Sequence, residues 1–174
     1  MIELANTPTL TTERLTLRAP QGADWEQFRP FFTSPRAGFI RSDDDTARTA
    51  WRAFGHVIGH WAMRGFGTFV FHRHDDPTPL GGVGPWFPEG WPEREIGWTA
   101  WDPAIEGTGL VHEAVQATLA HAFDDLGWET AVSYIDPQNT RSVALAERLG
   151  ARHDPQAAAA FDGDLVYRHP GPAR

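Results

Sequence analysis

The sequence contains no cysteine. Disulfide frameworks, thiolate metal centres and cysteine nucleophiles are thereby excluded. It contains no lysine either: all 15 side chains of the Lys+Arg count are arginines, which also excludes catalysis through a lysine Schiff base. Basic groups are the minority, 15 against 23 Asp and Glu, giving a net charge of -8 and a pI near 5.4. That balance disfavours non-specific binding to nucleic acid or an anionic membrane and suits cationic or amine partners. No apolar run is long enough to span a bilayer, and the opening stretch MIELANTPTLTTERL has no apolar signal core. A cytoplasmic protein with neither nucleic-acid nor membrane partners is the expectation.

What is present fits one globular domain over residues 1–174, with 41% hydrophobic and 22% charged residues and eight tryptophans. Thr12 to Arg18 alternates with Leu15 and Leu17 on one face, a half-buried first strand. Asp24 is placed to cap a short helix through Phe28, and Pro30 and Pro35 break the region that follows. The triplet Asp43-Asp44-Asp45 precedes a strong helix whose face carries Ala47, Trp51, Phe54, Ile58 and Trp61; Gly65 and Gly67 end it. Trp51, Phe54 and Trp61 read as core. Strands are predicted at Thr68 to His72 and, weakly, at the glycine-rich Leu80 to Gly84. The connection Pro85 to Pro92 offers Trp86, Phe87 and Trp91 to an acceptor pocket or a subunit contact.

The most informative stretch is Glu93 to Ala114. A strand through Trp101 runs into Asp102-Pro103, then the loop Ile105-Glu106-Gly107-Thr108-Gly109, then a helix from about Leu110 to Leu126, stopped by Gly127. Strand, glycine loop and helix together aim free backbone N–H groups and a positive helix end at an anion, usually a phosphate. A strand at Thr130 to Ile135 follows. A helix capped by Asn139 or Thr140 runs to Gly150, then one uncertain strand, a turn at Asp162-Gly163, and a last strand Leu165 to Arg168. Strands and helices alternate through the second half, so an α/β or α+β domain with a central mixed sheet is predicted. His56/His60 and His72/His74 have spacings that allow shared metal ligation, but no third ligand is evident and no metal site is expected.

Four stretches, in order, carry a resemblance. They are Thr12-Glu13-Arg14-Leu15-Thr16-Leu17-Arg18, Glu95-Ile96-Gly97-Trp98, Gly107-x-Gly109-x-x-x-Glu113-Ala114, and Asn139-x-x-Ser142 with Leu149-Gly150. Together they resemble the GNAT N-acetyltransferase superfamily, and most of all its ribosomal-protein N-terminal acetyltransferase branch. The resemblance implies a mixed, mostly antiparallel sheet of six or seven strands flanked by about four helices. It implies acetyl-coenzyme A as co-substrate, no metal, and an amine acceptor that is a peptide N-terminus, a small metabolite or an amine drug. By the same resemblance the amides of Ile105, Glu106, Gly107, Thr108, Gly109 and Leu110 would hold the pyrophosphate. The backbone of Ile96, Gly97, Trp98 and Thr99 would pair with the pantetheine arm, and Asn139 would bind that arm. Glu95 would be the general base, the Trp98 N–H an oxyanion donor, and Ser142 the partner of the leaving sulfur. Such proteins are monomers or homodimers.

Two departures stand out. Ala146 occupies the position where many members carry a tyrosine acid. The loop places Ala104, Glu106 and Thr108 where basic or amide side chains are common, leaving His112 or Arg141 to compensate. A non-catalytic module that binds acyl-coenzyme A or a protein partner is the alternative these departures raise.

Overall fold

The computed structural model describes residues 4–40 and 44–171. Asp43 of the acidic triplet lies outside the described residues. Eight strands form one sheet: β1 (Leu10–Thr11), β2 (Leu15–Arg18), β3 (Phe69–Arg73), β4 (Gly81–Trp86), β5 (Glu95–Ala100), β6 (Val132–Ile135), β7 (Arg152–His153) and β8 (Leu165–Arg168). Four α-helices accompany them: α1 (Trp25–Phe32), α2 (Ala47–Arg64), α3 (Leu110–Ala120) and α4 (Thr140–Arg148). The strand order is β1-β2-β3-β4-β5-β6-β8-β7, antiparallel throughout except for β5 beside β6. The count exceeds six or seven because β1 and β7 are two-residue strands. Residues 12–14 turn sharply between β1 and β2, where the Thr12 hydroxyl accepts from the Leu15 amide at 3.0 Å. The strand read over Thr12 to Arg18 therefore begins only at Leu15, and it forms a small hairpin with the Leu10–Thr11 strand before it.

Strand alternation distributes the core over both faces of the sheet. Phe69 and Phe71 face α3, joining Leu15, Leu17, Val83, Ile96, Leu110 and Val115. Val70, one residue out of phase, faces α1 and α2 and joins Phe28, Phe32, Phe54 and Trp101. Trp51 departs from the predicted core: it is 63% exposed and meets Trp25 in a T-shaped contact, with ring centroids 5.1 Å apart. Asp24 departs too. Its carboxylate makes no side-chain bond to α1 but is buried in a bidentate pair with Arg18 (2.7 and 2.9 Å) and accepts from the Gln21 amide at 2.7 Å. Pro30 lies inside α1 rather than breaking it. One missing hydrogen bond in so short a helix is outweighed by the burial of Phe28, Phe31 and Phe32. The helix predicted over Leu110 to Leu126 is α-helical only to Ala120. It widens into a π-turn over His121–Asp125, and Leu126 donates to the His121 carbonyl.

Strand β4 was expected to end at Gly84 but continues through Pro85 to Trp86. Its pairing with β3 stops at Val83, so Pro85 has β5 as its one neighbour and its missing N–H breaks no β3 rung. The glycines have a packing cause. A Cβ at Gly81 would come within 2.2 Å of the Thr99 carbonyl oxygen and 2.7 Å of the Phe71 ring. Gly81→Ala is expected to lower unfolding stability by about 1–3 kcal/mol or more through overpacking, read as a lower denaturant midpoint at unchanged slope.

Candidate active site

Strands β5 and β6 pair at one register position, Glu95 with Val132, and then part. The parting frees one edge of β5. Trp101 donates backward to the Leu80 carbonyl at the start of β4, whereas the Ile96 and Ala100 carbonyls accept from Ser133 Oγ (2.6 Å) and Arg36 Nη2 (2.9 Å) on the opposite side. With a two-residue alternation, the N–H and C=O of Trp98 also point away from β4, into the gap. The gap opens into a cleft of about 370 Å³.

Glu95, Ile96, Gly97, Trp98, Thr99, Asn139 and Ser142 all line that cleft. Glu95 projects into it opposite Trp86, its cross-strand partner. Trp91 Nε1 donates to Glu95 Oε2 at 2.6 Å. Burial pushes the Glu95 carboxyl up to about 7; the Trp91 hydrogen bond opposes this and the nearby Asp164 adds to it. Across the gap, Trp98 Nε1 donates to Ser142 Oγ at 3.1 Å, which leaves the serine proton free to turn elsewhere. Asn139 Oδ1 accepts from the Ser142 amide at 3.2 Å and caps α4, so its NH₂ group is not needed for the cap. Ala146, in the tyrosine position, is fully buried.

The loop Ile105 to Leu110 lies outside the cleft lining, past the C-terminal end of β5. Asp102 caps its first turn, accepting from the Ala104 amide at 2.8 Å. Gly107 (φ 76°) and Gly109 (φ 83°) take left-handed conformations that favour glycine. The amides of Ile105, Glu106 and Thr108 are spent on carbonyls within the loop. Among the described residues, those of Gly107, Gly109, Leu110, Val111 and His112 meet no backbone acceptor. An anion at this helix end would therefore meet the glycine amides and the first turn of α3, rather than every amide of the loop.

Glu106 does not face that position uncompensated. Arg36 holds it at 2.8 Å and Arg141 pairs with it, and these arginines keep its carboxyl below the ordinary carboxylate range. Arg36 also donates to the Trp101 carbonyl at 2.6 Å, tying the end of β5 to the loop. Arg14 donates to the Thr108 carbonyl at 3.4 Å and to Glu113 at 2.6 Å; Glu113 in turn accepts from the Thr12 hydroxyl at 2.5 Å. Three arginines from distant parts of the chain thus surround a loop that has none of its own.

A family model described as an acetyltransferase (GNAT) domain matches residues 14–152. The chain belongs to the GNAT acetyltransferase family. It is similar to an acetyltransferase from Agrobacterium tumefaciens strain C58, at 35% identity over 98% of each chain and a TM-score of 0.88. A GNAT-family structure from Bordetella pertussis is 28% identical, covering 94% of this chain and 99% of that one, at a TM-score of 0.76. RimJ of Mycobacterium smegmatis, solved in complex with CoA-disulfide, shares the fold at 17% identity and a TM-score of 0.68, over 93% of this chain and 85% of that one. Mycothiol acetyltransferase of Salinispora tropica is 43% identical over 49 residues, which span 28% of this chain and 16% of that relative. Membership supports acyltransferase chemistry. No described helix is long and apolar enough to cross a membrane.

Several groups of this GNAT site escape local reading of the sequence. Arg14 and Arg36 lie 94 and 70 positions from their partners in the loop region, Thr108 and Glu106. Trp91 was a candidate for pocket lining, but its grip on Glu95 is set by how the β4–β5 connection folds back. His60, in one of the histidine pairs, is structural: it accepts from the Phe87 amide at 2.9 Å and so donates to the Phe66 carbonyl at 2.8 Å. Another buried histidine, His169, braces the gap. It meets Ser133 Oγ at 2.9 Å, and that hydroxyl donates to the Ile96 carbonyl.

Burial depresses His169 from 6.5 to about 4. The unfolded chain then binds the extra proton over that interval, so the stabilisation is whole above pH 6.5 and is lost as pH falls toward 4. The loss amounts to about 3 kcal/mol. Melting temperatures followed from pH 7.5 to 4 are expected to fall more steeply for the wild type than for His169→Asn; parallel curves would remove His169 from the linkage.

Proposed function

We propose that the protein is an N-acetyltransferase that uses acetyl-coenzyme A and transfers the acetyl group to a primary amine by direct attack within a ternary complex. The observation that carries this reading is Glu95. It is a carboxylate tuned to about 7, fixed by an indole, beside the free edge of β5 and across the gap from Ser142. The residues present suit the donor. Free amides at the start of α3 match a pyrophosphate, and an unpaired strand edge matches the amide-bearing pantetheine arm. When bound, acetyl-coenzyme A supplies an acyl thioester. RimJ of Mycobacterium smegmatis, which shares this fold, was solved with a coenzyme A derivative.

The roles follow from position. Glu95 accepts a proton from the acceptor ammonium and frees the nitrogen lone pair to attack. The Trp98 N–H donates to the oxygen on which negative charge builds. The C–N bond forms and the C–S bond breaks, and Ser142 Oγ–H, oriented by the Trp98 indole, donates to the departing sulfur. Asn139 offers its NH₂ group to the arm. Arg36 and Arg141 neutralise Glu106, so the loop carboxylate that pointed toward a non-catalytic module no longer opposes a phosphate ligand.

Two outcomes test this. Glu95→Gln is expected to lower kcat by about 10²–10⁴ while leaving acetyl-coenzyme A affinity, measured by isothermal titration, within a few-fold; full activity would remove Glu95 from the mechanism. The active form of Glu95 is deprotonated, so wild-type kcat/KM should climb with pH and level off above about 7. A profile flat from pH 5.5 to 8 would contradict the assignment.

A further inference from the structure

The acceptor side of the cleft has its own chemistry, and it narrows the substrate class. This step rests on the acetyltransferase reading above. The wall around Glu95 is aromatic and comes from separate elements. Trp86 stands directly across the β4–β5 ladder from Glu95. Trp91 holds the Glu95 carboxylate, and the Phe161 ring meets Trp91 edge-on at 5.4 Å. Phe28 and Phe32 of α1 also line the cleft. At the rim, Phe39 and Phe161 leave 49% and 61% of their surface exposed. Large rings held open to solvent at a cleft mouth are a cost that a bound apolar group would remove.

Charge points the same way. Three carboxylates line the cleft: Glu95, Asp136 and Asp164. The last two stand opposite each other, one step past the Ile135–Leu165 pair that ends the β6–β8 ladder. No arginine is among the described residues lining the cleft. Such a lining attracts a cation and repels a carboxylate or phosphate on the acceptor. The volume of about 370 Å³ sits at the low end of the roughly 300–1,000 Å³ typical of ligand pockets. The stretch of β5 and α4 proposed to hold the donor arm lines the same cleft, so the acceptor shares this space and must be compact.

We propose that the acceptor is a small aromatic primary amine without an acid group, its ring packed among Trp86, Trp91 and Phe161 and its ammonium directed at Glu95. The ring also contributes a face to which the indole edges can pack, beyond simple area burial. An added acid on the carbon next to the nitrogen would bring a negative charge beside Glu95 and Asp164.

The test is an acceptor panel with acetyl-coenzyme A as donor, read by thiol release: 2-phenylethylamine, butylamine, putrescine, phenylalanine and a short peptide with a free N-terminus. The expected result is a kcat/KM for 2-phenylethylamine roughly ten- to a hundredfold above butylamine and above phenylalanine. Phe161→Ala, a change at an exposed side chain, should narrow the ratio of 2-phenylethylamine to butylamine by raising KM for the former. Binding of 2-phenylethylamine alone is followed in parallel by tryptophan fluorescence. Preference for putrescine, phenylalanine or the peptide overturns the aromatic-amine assignment and leaves the acetyltransferase reading intact. Saturable 2-phenylethylamine binding with no thiol release from any amine keeps the aromatic site and overturns the transfer reading. Neither binding nor release overturns both.

Discussion

The sheet is one continuous layer that nearly comes apart, and the site depends on that parting. β5 and β6 share a single parallel pair. What keeps the two halves in register beyond that pair is side-chain chemistry. Ser133 reaches the Ile96 carbonyl, Tyr134 Oη accepts from the Glu93 amide at 3.0 Å, and Arg168 grips Glu93 with two bonds of 2.9 Å. These contacts lie at the base of the gap and leave its upper part free. A fully paired β5 would have no free Trp98 amide, and Glu95 would face a closed ladder instead of a cleft. The main-chain hydrogen bonds given up at the opening are the groups a ligand can use.

The order of the large elements was legible because each has a strong local cause. The four-and-three spacing marked α2, glycines flanked α3, the Asn139 cap and Gly150 marked α4, and strand alternation marked β2 and β5. The candidate residues on β5 and α4 were legible for a related reason: they sit at element boundaries, where one sequence motif fixes both a cap and a geometry. Asn139 and Ser142 come together because the helix start that Asn139 caps puts Ser142 in its first turn. The misjudged features are those where tertiary packing decides. Trp51 has the right helical phase, but α1 covers only part of that face. Pro30 is tolerated because three phenylalanines bury around it. Asp24 is drawn off its cap by Arg18, six residues back. No local pattern announces that a partner strand will stop short, as β3 does beside Pro85.

The electrostatics of the loop illustrate the same limit more sharply. Read along the chain, Ala104, Glu106 and Thr108 make a poor anion site. Folded, the loop carries Arg36 from the turn after α1, Arg14 from the first hairpin and Arg141 from α4. Glu106 then acts as the anchor that gathers two of these guanidinium groups, and Glu113 positions the third. A carboxylate that looks hostile to an anion in one dimension organises positive charge in three.

That all three of these cations are arginines matters for the transfer to an amine proposed above. An amine side chain beside the donor would compete with the intended acceptor, and once acylated it would lose its charge for good. A guanidinium stays protonated at any pH the fold endures and offers no free lone pair to attack. The ring of charge around the loop is therefore inert to the chemistry it serves, and it cannot be worn away by turnover.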